Sequence, residues 1–268
     1  MKAARALIRA AALAATLAAT VATVHRLGRT YGSTPAERAA DLPGDELVAD
    51  AQFECQHAIT IDAPAEVIWP WLVQMGWHRG GWYTARWVDL LLFPANRASA
   101  DEVIPELQHL GVGDFIPDGA PETACGFVVQ DLEPARHLVL RSNSHLPLSW
   151  RTRRHARLDW TWAFVLVPLD GGGRTRFTFR WRARTSPWWV RAFCWVAIVP
   201  ADLVMSRDML RGVKKRAERP RSLHLATPGD HRGGLGGSVD WWCGADPVAV
   251  VPARHRAVSG SPAAVAHL

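Results

Sequence analysis

The stretch LDWTWAFVLVPLDGGGRTRFTFRWRAR (158–184) alternates bulky and small residues twice, with a glycine-rich break between the two runs. Leu158, Trp160, Trp162, Phe164 and Leu166 fall on one side of an extended chain, and Asp159, Thr161, Ala163, Val165 and Val167 on the other. A period of two is that of a strand with one buried face. After the DGGG turn, Phe177, Phe179 and Trp181 again point one way, while Arg176, Arg180 and Arg182 point the other. The stretch therefore reads as a long antiparallel hairpin, one face lined with rings and the other with guanidinium groups.

Upstream, GVGDFIPDG (111–119), CGFVVQDLEP (125–134) and RHLVLRSNS (136–144) are short β-rich runs separated by Pro, Gly and acidic turns. QFECQHAITI (52–61) is a further strand, broken by DAP. Pro64 then suits the first turn of a helix, with Val67, Ile68, Trp71, Leu72 and Met75 on one face and a kink expected at Pro70. MGWHRGGWYTARWVDLL (75–91) follows. Its glycines read as a corner, and WYTARWVDLLL as a second short helix with Tyr83, Trp87 and Leu91 at four-residue spacing. Downstream of the hairpin, a long helix is expected from about Pro187 to Ala217, striped by Trp195, Val199, Leu203, Leu210, Val213 and Ala217. Pro200 marks a break in it. The run WWVRAFCWVAIVP (188–200) is too short to span a bilayer and contains Arg191, so core packing is the reading taken.

The chain has 268 residues, of which 49% are hydrophobic and 21% charged, enough for one globular domain with extensions. Four divisions are expected. Residues 1–29 are an N-terminal apolar segment, in which Lys2, Arg5 and Arg9 precede the uncharged run AAALAATLAATVATV (10–24), a signal or anchor candidate beside the plainer reading of an Ala-rich helix. Residues 30–51 read as a polar linker, 52–218 as the folded domain, and 219–268 as a disordered tail rich in Gly, Pro, His and Ala. The four cysteines lie far apart without a CxxC pair, so neither a zinc site nor a disulfide framework is expected. A cytoplasmic protein is expected, with membrane association through the N-terminal segment as the alternative.

The net charge of +6 is largely arginine. RTRRHAR (151–157) and the arginines of the hairpin read as a solvated face, with an anionic membrane surface as the functional competitor and no nucleic-acid motif accompanying them.

The order strand, two short helices, antiparallel strands, long C-terminal helix, together with ITIDAPAEVIWPWLVQMG, GGWYTARWVDLL, LGVGDFIP, FVVQDLEPARHLVLR and VMSRDMLRGVKKRAE, resembles the START-like helix-grip superfamily (SRPBCC, including polyketide cyclase/dehydrase-like proteins). The resemblance implies an α+β helix-grip fold. A curved antiparallel sheet of about seven strands would wrap around the C-terminal helix and enclose an apolar cavity. Its ligand-facing candidates here are Trp71, Trp87, Trp160, Trp162, Phe164, Phe177, Phe179 and Trp181. Rings at strand period also serve as plain core.

No paired carboxylates, Ser/His/Asp set, phosphate loop or metal-ligand spacing stands out, and no cofactor or metal is expected. The polar candidates for catalysis are Tyr83, Arg86 and Asp89, three apart along the second helix, and His78 at the glycine corner. A surface Arg–Asp pair and an exposed corner are the plainer readings. The function expected is binding or carriage of a hydrophobic small molecule, lipid or polyketide-like. The alternatives are a cyclase/dehydrase-type enzyme and a membrane-associated interaction protein.

Overall fold

The computed structural model describes residues 2–92 and 97–219. The tail and its Trp241 and Trp242 lie outside the described residues.

All six strands read from the sequence form. They are β1 (Phe53–Ile61), β2 (Phe115–Pro117), β3 (Gly126–Glu133), β4 (His137–Ser142), β5 (Arg157–Leu169) and β6 (Arg174–Ser186), joined in one antiparallel sheet of order β1-β6-β5-β4-β3-β2. The seventh strand implied by the resemblance is absent among the described residues. In the β5–β6 hairpin Trp162 pairs with Trp181, Phe164 with Phe179 and Leu166 with Phe177, so cross-strand ring pairs hold the register. A one-residue slip would turn every ring outward.

The helices are α1 (Lys2–Thr30), α2 (Pro35–Ala39), α3 (Ala65–Val73), α4 (Arg86–Leu92), α5 (Leu148–Arg153), α6 (Trp188–Phe193) and α7 (Val199–Ala217). The sheet curves around α7, which buries Val199, Asp202, Ser206, Met209, Leu210, Val213 and Ala217 against it. This is the helix-grip arrangement.

Between α6 and α7 the chain makes one π-helical turn, Cys194–Ile198, just before Pro200. Proline has no N–H to give to the carbonyl of Val196, so the break expected at Pro200 takes the form of a widened turn. The extra residue keeps Val190, Cys194 and Val199, spaced by four and then five, on the same buried face.

Three expectations need correction. The run 82–92 is helical only from Arg86. Tyr83 precedes the helix with φ 58° and is buried. Its hydroxyl donates to the Trp71 carbonyl at 2.9 Å, and its own carbonyl lies where Gly212 of α7 leaves room, so tertiary contacts override the four-residue spacing.

Residues 30–51 do not behave as a linker. They carry α2 and a 3-10 turn, Asp45–Val48, and lie against the outer face of β1 and β6.

The hairpin's arginine face is correspondingly covered at Arg176, Arg180 and Arg182, whereas Arg184 and, in the RTRRHAR run, Arg153, Arg154 and Arg157 are exposed as expected. Arg176 meets Glu37 at 2.6 Å and the Gly32 carbonyl at 2.6 Å. Arg180, with 2% of its side chain exposed, is held by Asp45, by Gln56 at 2.8 Å and by the Ala40 carbonyl at 2.8 Å. Arg182 shares Asp45 at 3.4 Å, and Arg184 meets Asp50 at 2.6 Å. Arg176 in turn holds the Glu37 carboxyl at a pKa of about 2, below its ordinary 4.5.

The last turn of α1 also belongs to this domain. The Gly28 carbonyl lies 3.0 Å from Nε2 of buried His57 on β1, and a Cβ on Gly28 would stand 2.9 Å from the Val199 carbonyl oxygen. His57 Nε2 is 3.4 Å from Asp202, whose carboxylate accepts hydrogen bonds from Trp181 Nε1 at 2.8 Å and Ser206 Oγ at 2.6 Å. Burial raises the pKa of Asp202, opposed by His57, Ser206 and Trp181. The cluster ties α1, β1, β6 and α7 together.

By length and composition alone, two helical runs are apolar enough to cross a membrane. They are Ile8–Thr30, whose apolar window is not buried at all, and Trp188–Ala217, which includes the core helix α7.

Candidate functional site

Seven of the eight aromatic candidates line the interior. Trp71, Trp160, Trp162, Phe164, Phe177, Phe179 and Trp181 all belong to or pack on one core cluster. Trp87 does not, because α4 turns it outward, 58% exposed.

The rings fill the space the resemblance left for a ligand. Trp162 sits 4.3 Å from Phe127, 5.3 Å from Trp82 and 5.3 Å from Phe179, and Phe164 stacks on Phe179 at 5.0 Å. Most of the concave face is therefore packed core, each ring contributing roughly 2 kcal/mol of burial.

A small gap lies at the end of the sheet beneath α6. Phe53, His145, Leu146, Leu158, Trp160, Trp181, Ala183, Phe193, Cys194 and Ile198 enclose about 30 Å³. That holds about one water, whereas drug-sized ligands occupy pockets of roughly 300–1,000 Å³.

Two features of its wall stand out. The indole N–H of Trp160 is buried without a partner, as are those of Trp162 and Trp82 deeper in the same cluster. Secondly, the cover on the helix side comes from Phe193, Cys194 and Ile198, at the junction of α6 and the π turn, and Phe193 is already partly exposed.

His145 forms the polar corner of this gap, and sequence reasoning missed it. Nε2 lies 2.9 Å from Asp118, and Nδ1 lies 2.7 Å from Ser142 Oγ, which is 3.0 Å from Ser144 Oγ. Asp118 follows β2, Ser142 ends β4 and His145 lies just beyond it, so pairing of β2, β3 and β4 brings together residues that carry no motif. The local signal was the polar SNSH run after a strand.

A serine, a histidine and an aspartate in contact suggest a nucleophilic triad, but the electrostatics argue against one. Burial pulls the pKa of His145 down, yet Asp118 and the sulfur of Cys125 more than offset it and raise the pKa to about 9. The imidazole is thus a cation at neutral pH and donates both N–H groups, to Asp118 and to Ser142. It has no lone pair to take the serine proton.

On the other side of this corner an open groove of about 1100 Å³ runs along the outside of the sheet, past Ser142, Ser144 and the Arg141–Asp159 pair. That pair is a two-pronged contact of 2.8 and 2.8 Å.

Of the polar candidates, Tyr83, Arg86 and Asp89 border one open groove of about 430 Å³ between the start of α4 and α7, apart from the gap beside Trp160, and His78 lies elsewhere. Tyr83 is buried, its ring under the Arg216 guanidinium at 4.8 Å, and burial raises its pKa. Arg86 is exposed at the rim of this groove. Asp89 is buried and accepts a hydrogen bond from Thr84 Oγ1 at 2.6 Å, fixing the start of α4. His78 is exposed and stacked on Trp77, ring centroids 3.5 Å apart, at the corner closed by the Gly76–Gly81 bridge. Among the described residues no group of three His, Cys, Asp or Glu side chains is placed to hold a metal ion.

No protein-family model and no curated protein matches the chain. Solved structures do. A hypothetical protein of Helicobacter pylori is 13% identical, with a TM-score of 0.42, over 67% of this chain and 96% of its own. A protein of Mesorhizobium loti is 15% identical, with a TM-score of 0.35, over 61% and 96%. The Zhui aromatase/cyclase of a Streptomyces species is 18% identical, with a TM-score of 0.32, over 65% and 97%. The assignment of a helix-grip fold rests on the chain's own sheet order and its gripped helix.

Proposed function

We infer that the chain binds an apolar small molecule bearing acceptor oxygens, lipid or polyketide-like in kind, at the aromatic end of its interior beneath α6. The observation that carries this reading is the gap beside Trp160, whose buried indole N–H lacks an acceptor. An unpaired buried donor costs about 1–3 kcal/mol, which a ligand carbonyl or hydroxyl would recover.

In its closed form the gap is too small for such a ligand, so binding requires Phe193 and the π turn to move aside. Phe193 is the cheapest part of the wall to displace. It is partly exposed, whereas Trp181 and Phe53 are fully packed. π turns within α-helices are frequent at functional sites.

Binding is favoured over catalysis because neither titratable group in the wall is poised to react: His145 has both its N–H groups committed to Asp118 and Ser142, and burial pushes the Cys194 thiol up to about 11, so it is not a thiolate at neutral pH.

The test compares 1-tetralone with tetralin, which lacks the carbonyl, by tryptophan-fluorescence titration of the full chain kept in amphipol. Saturable binding is expected, about fivefold tighter for the ketone, as one hydrogen bond of about 1 kcal/mol would give. Phe193→Ala should strengthen binding of both, and Trp160→Phe should remove the preference for the ketone. Absence of saturable binding in both the wild type and Phe193→Ala would overturn the reading.

A further inference from the structure

One group of exposed apolar residues of this domain, which includes its two most exposed, Trp188 and Val196, gathers at the α6 end. Trp188 is 74% and Val196 77% exposed, and Phe193 and Trp195 are partly exposed beside them. Leu148 of α5 is exposed too, and α5 packs on this segment through Trp150, whose ring lies 5.0 Å from Trp189 and 5.3 Å from Phe193. Soluble surfaces seldom gather large apolar side chains in this way.

Helix α1 leaves the domain toward the same end. Gly28 lies against Val199, and three residues earlier His25 lies against Trp195, ring centroids 4.9 Å apart. Going back along α1 therefore runs back along the π turn toward α6. From residue 8 to residue 23 α1 is exposed on every side, including Ile8, Leu13, Leu17 and Val21. A helix apolar all round and packed on nothing has hydrocarbon as its natural solvent.

The same elements carry basic side chains: Arg26 and Arg29 on α1, with Arg29 over the Trp195 ring, Arg191 on α6, and Arg151, Arg153 and Arg154 on or beside α5. Exposed tryptophans beside an apolar anchor, on elements rich in arginine, match the composition of the membrane interface.

We propose that α1 inserts into an anionic lipid bilayer and that the outer face of α6 and the π turn, with Trp188, Phe193 and Val196, lies in the interfacial layer of the same bilayer. This adds a second contact to the anchor and fixes the orientation of the domain. It stands on the exposed surface and the course of α1, independently of the ligand reading. If both hold, the cover over the gap beside Trp160 faces the lipid.

The test uses the full chain with vesicles of seven parts phosphatidylcholine to three parts phosphatidylglycerol, containing a trace of a diazirine-bearing lipid. After illumination, crosslinked residues are mapped by mass spectrometry. Crosslinks are expected in α1 and in residues 188–196. Val196→Asp with Trp188→Ala, both on the surface and so compatible with folding, should cut the second set at least tenfold and leave the first. Arg151, Arg153 and Arg154 changed to Gln should lower the 188–196 yield and remove its dependence on phosphatidylglycerol. Crosslinking of α1 alone, or no vesicle binding, overturns the proposal. The tetralone titration, made without vesicles, is unaffected by either result.

Discussion

Replacing Asp118 with Asn tests the charged state of His145, on which the case against a nucleophilic serine rests. In the fold the pKa of His145 is raised from 6.5 to about 9. The 2.5 units between them, at 1.36 kcal/mol each, correspond to about 3 kcal/mol of differential stabilisation of the charged imidazole. Because the folded pKa is the higher one, the native state binds the extra proton more tightly than the unfolded chain. The contribution is fully present below pH 6.5 and is lost as pH rises through 9. The side chain of His145 is 9% exposed and that of Asp118 24%, so solvent screens the pair only in part. Asp118→Asn keeps the shape and a hydrogen-bond acceptor but removes the charge. Urea unfolding followed by tryptophan fluorescence at constant ionic strength should place the variant about 3 kcal/mol below the wild type at pH 6. The gap should shrink to under about 1 kcal/mol at pH 10, where both carry a neutral imidazole. Taking the difference between the two proteins cancels the other histidines. A gap that stays the same from pH 6 to pH 10 would refute the reasoning and reopen Ser142 as a nucleophile with His145 as its base.

Other outcomes follow from the same contacts. Asp45→Ala strands the buried Arg180 guanidinium and should cost about 3 kcal/mol or more in chemical denaturation, part of it recovered by adding Arg180→Met; a loss under about 0.5 kcal/mol would mean Gln56 and the Ala40 carbonyl suffice. Gly212→Ala, normally a gain in a helix, should instead destabilise by about 2 kcal/mol or more, because its Cβ would stand 2.0 Å from the Tyr83 carbonyl oxygen. An unchanged denaturation midpoint would show that the loop around Tyr83 yields freely.

The hairpin was legible because a strand declares its two faces locally: Trp162 and Arg180 sit in runs whose period of two leaves no other reading. What covers the arginine face was not legible. The acids that meet it, Glu37 and Asp45, lie 139 and 135 residues away in a segment without apolar period, so polarity read as a linker. Tyr83 was misplaced for a related reason, since spacing reports helical potential and not the pull of Trp71 and Gly212. Asp118, Ser142 and His145 meet only through sheet pairing, which no residue spacing encodes. The filling of the interior was equally hidden. The sequence counts the rings, but whether Trp82 and Phe127 from other elements close the space between them depends on volumes summed in three dimensions.

The run WWVRAFCWVAIVP shows why choosing between core and membrane was the wrong question. The thirteen residues alone are too short to span, the continuous helical run Trp188–Ala217 that contains them is long enough but carries the core helix α7, and their apolar residues occur all around the helix instead of along one stripe. The structure resolves this by using both sides. Val190, Cys194 and Val199 face the sheet, kept in line by the π turn, while Trp188 and Val196 face away. A purely core helix would carry polar residues at those outward positions, as α7 does at Arg207, Arg211 and Lys215. Beyond Pro200 the outward face is charged; before it, Arg191 is the one charge on an outward face otherwise formed by Trp188, Phe193, Trp195 and Val196. On the proposal above, that apolar outward face is the part that meets lipid, and the exit of α1 alongside is what identifies the medium.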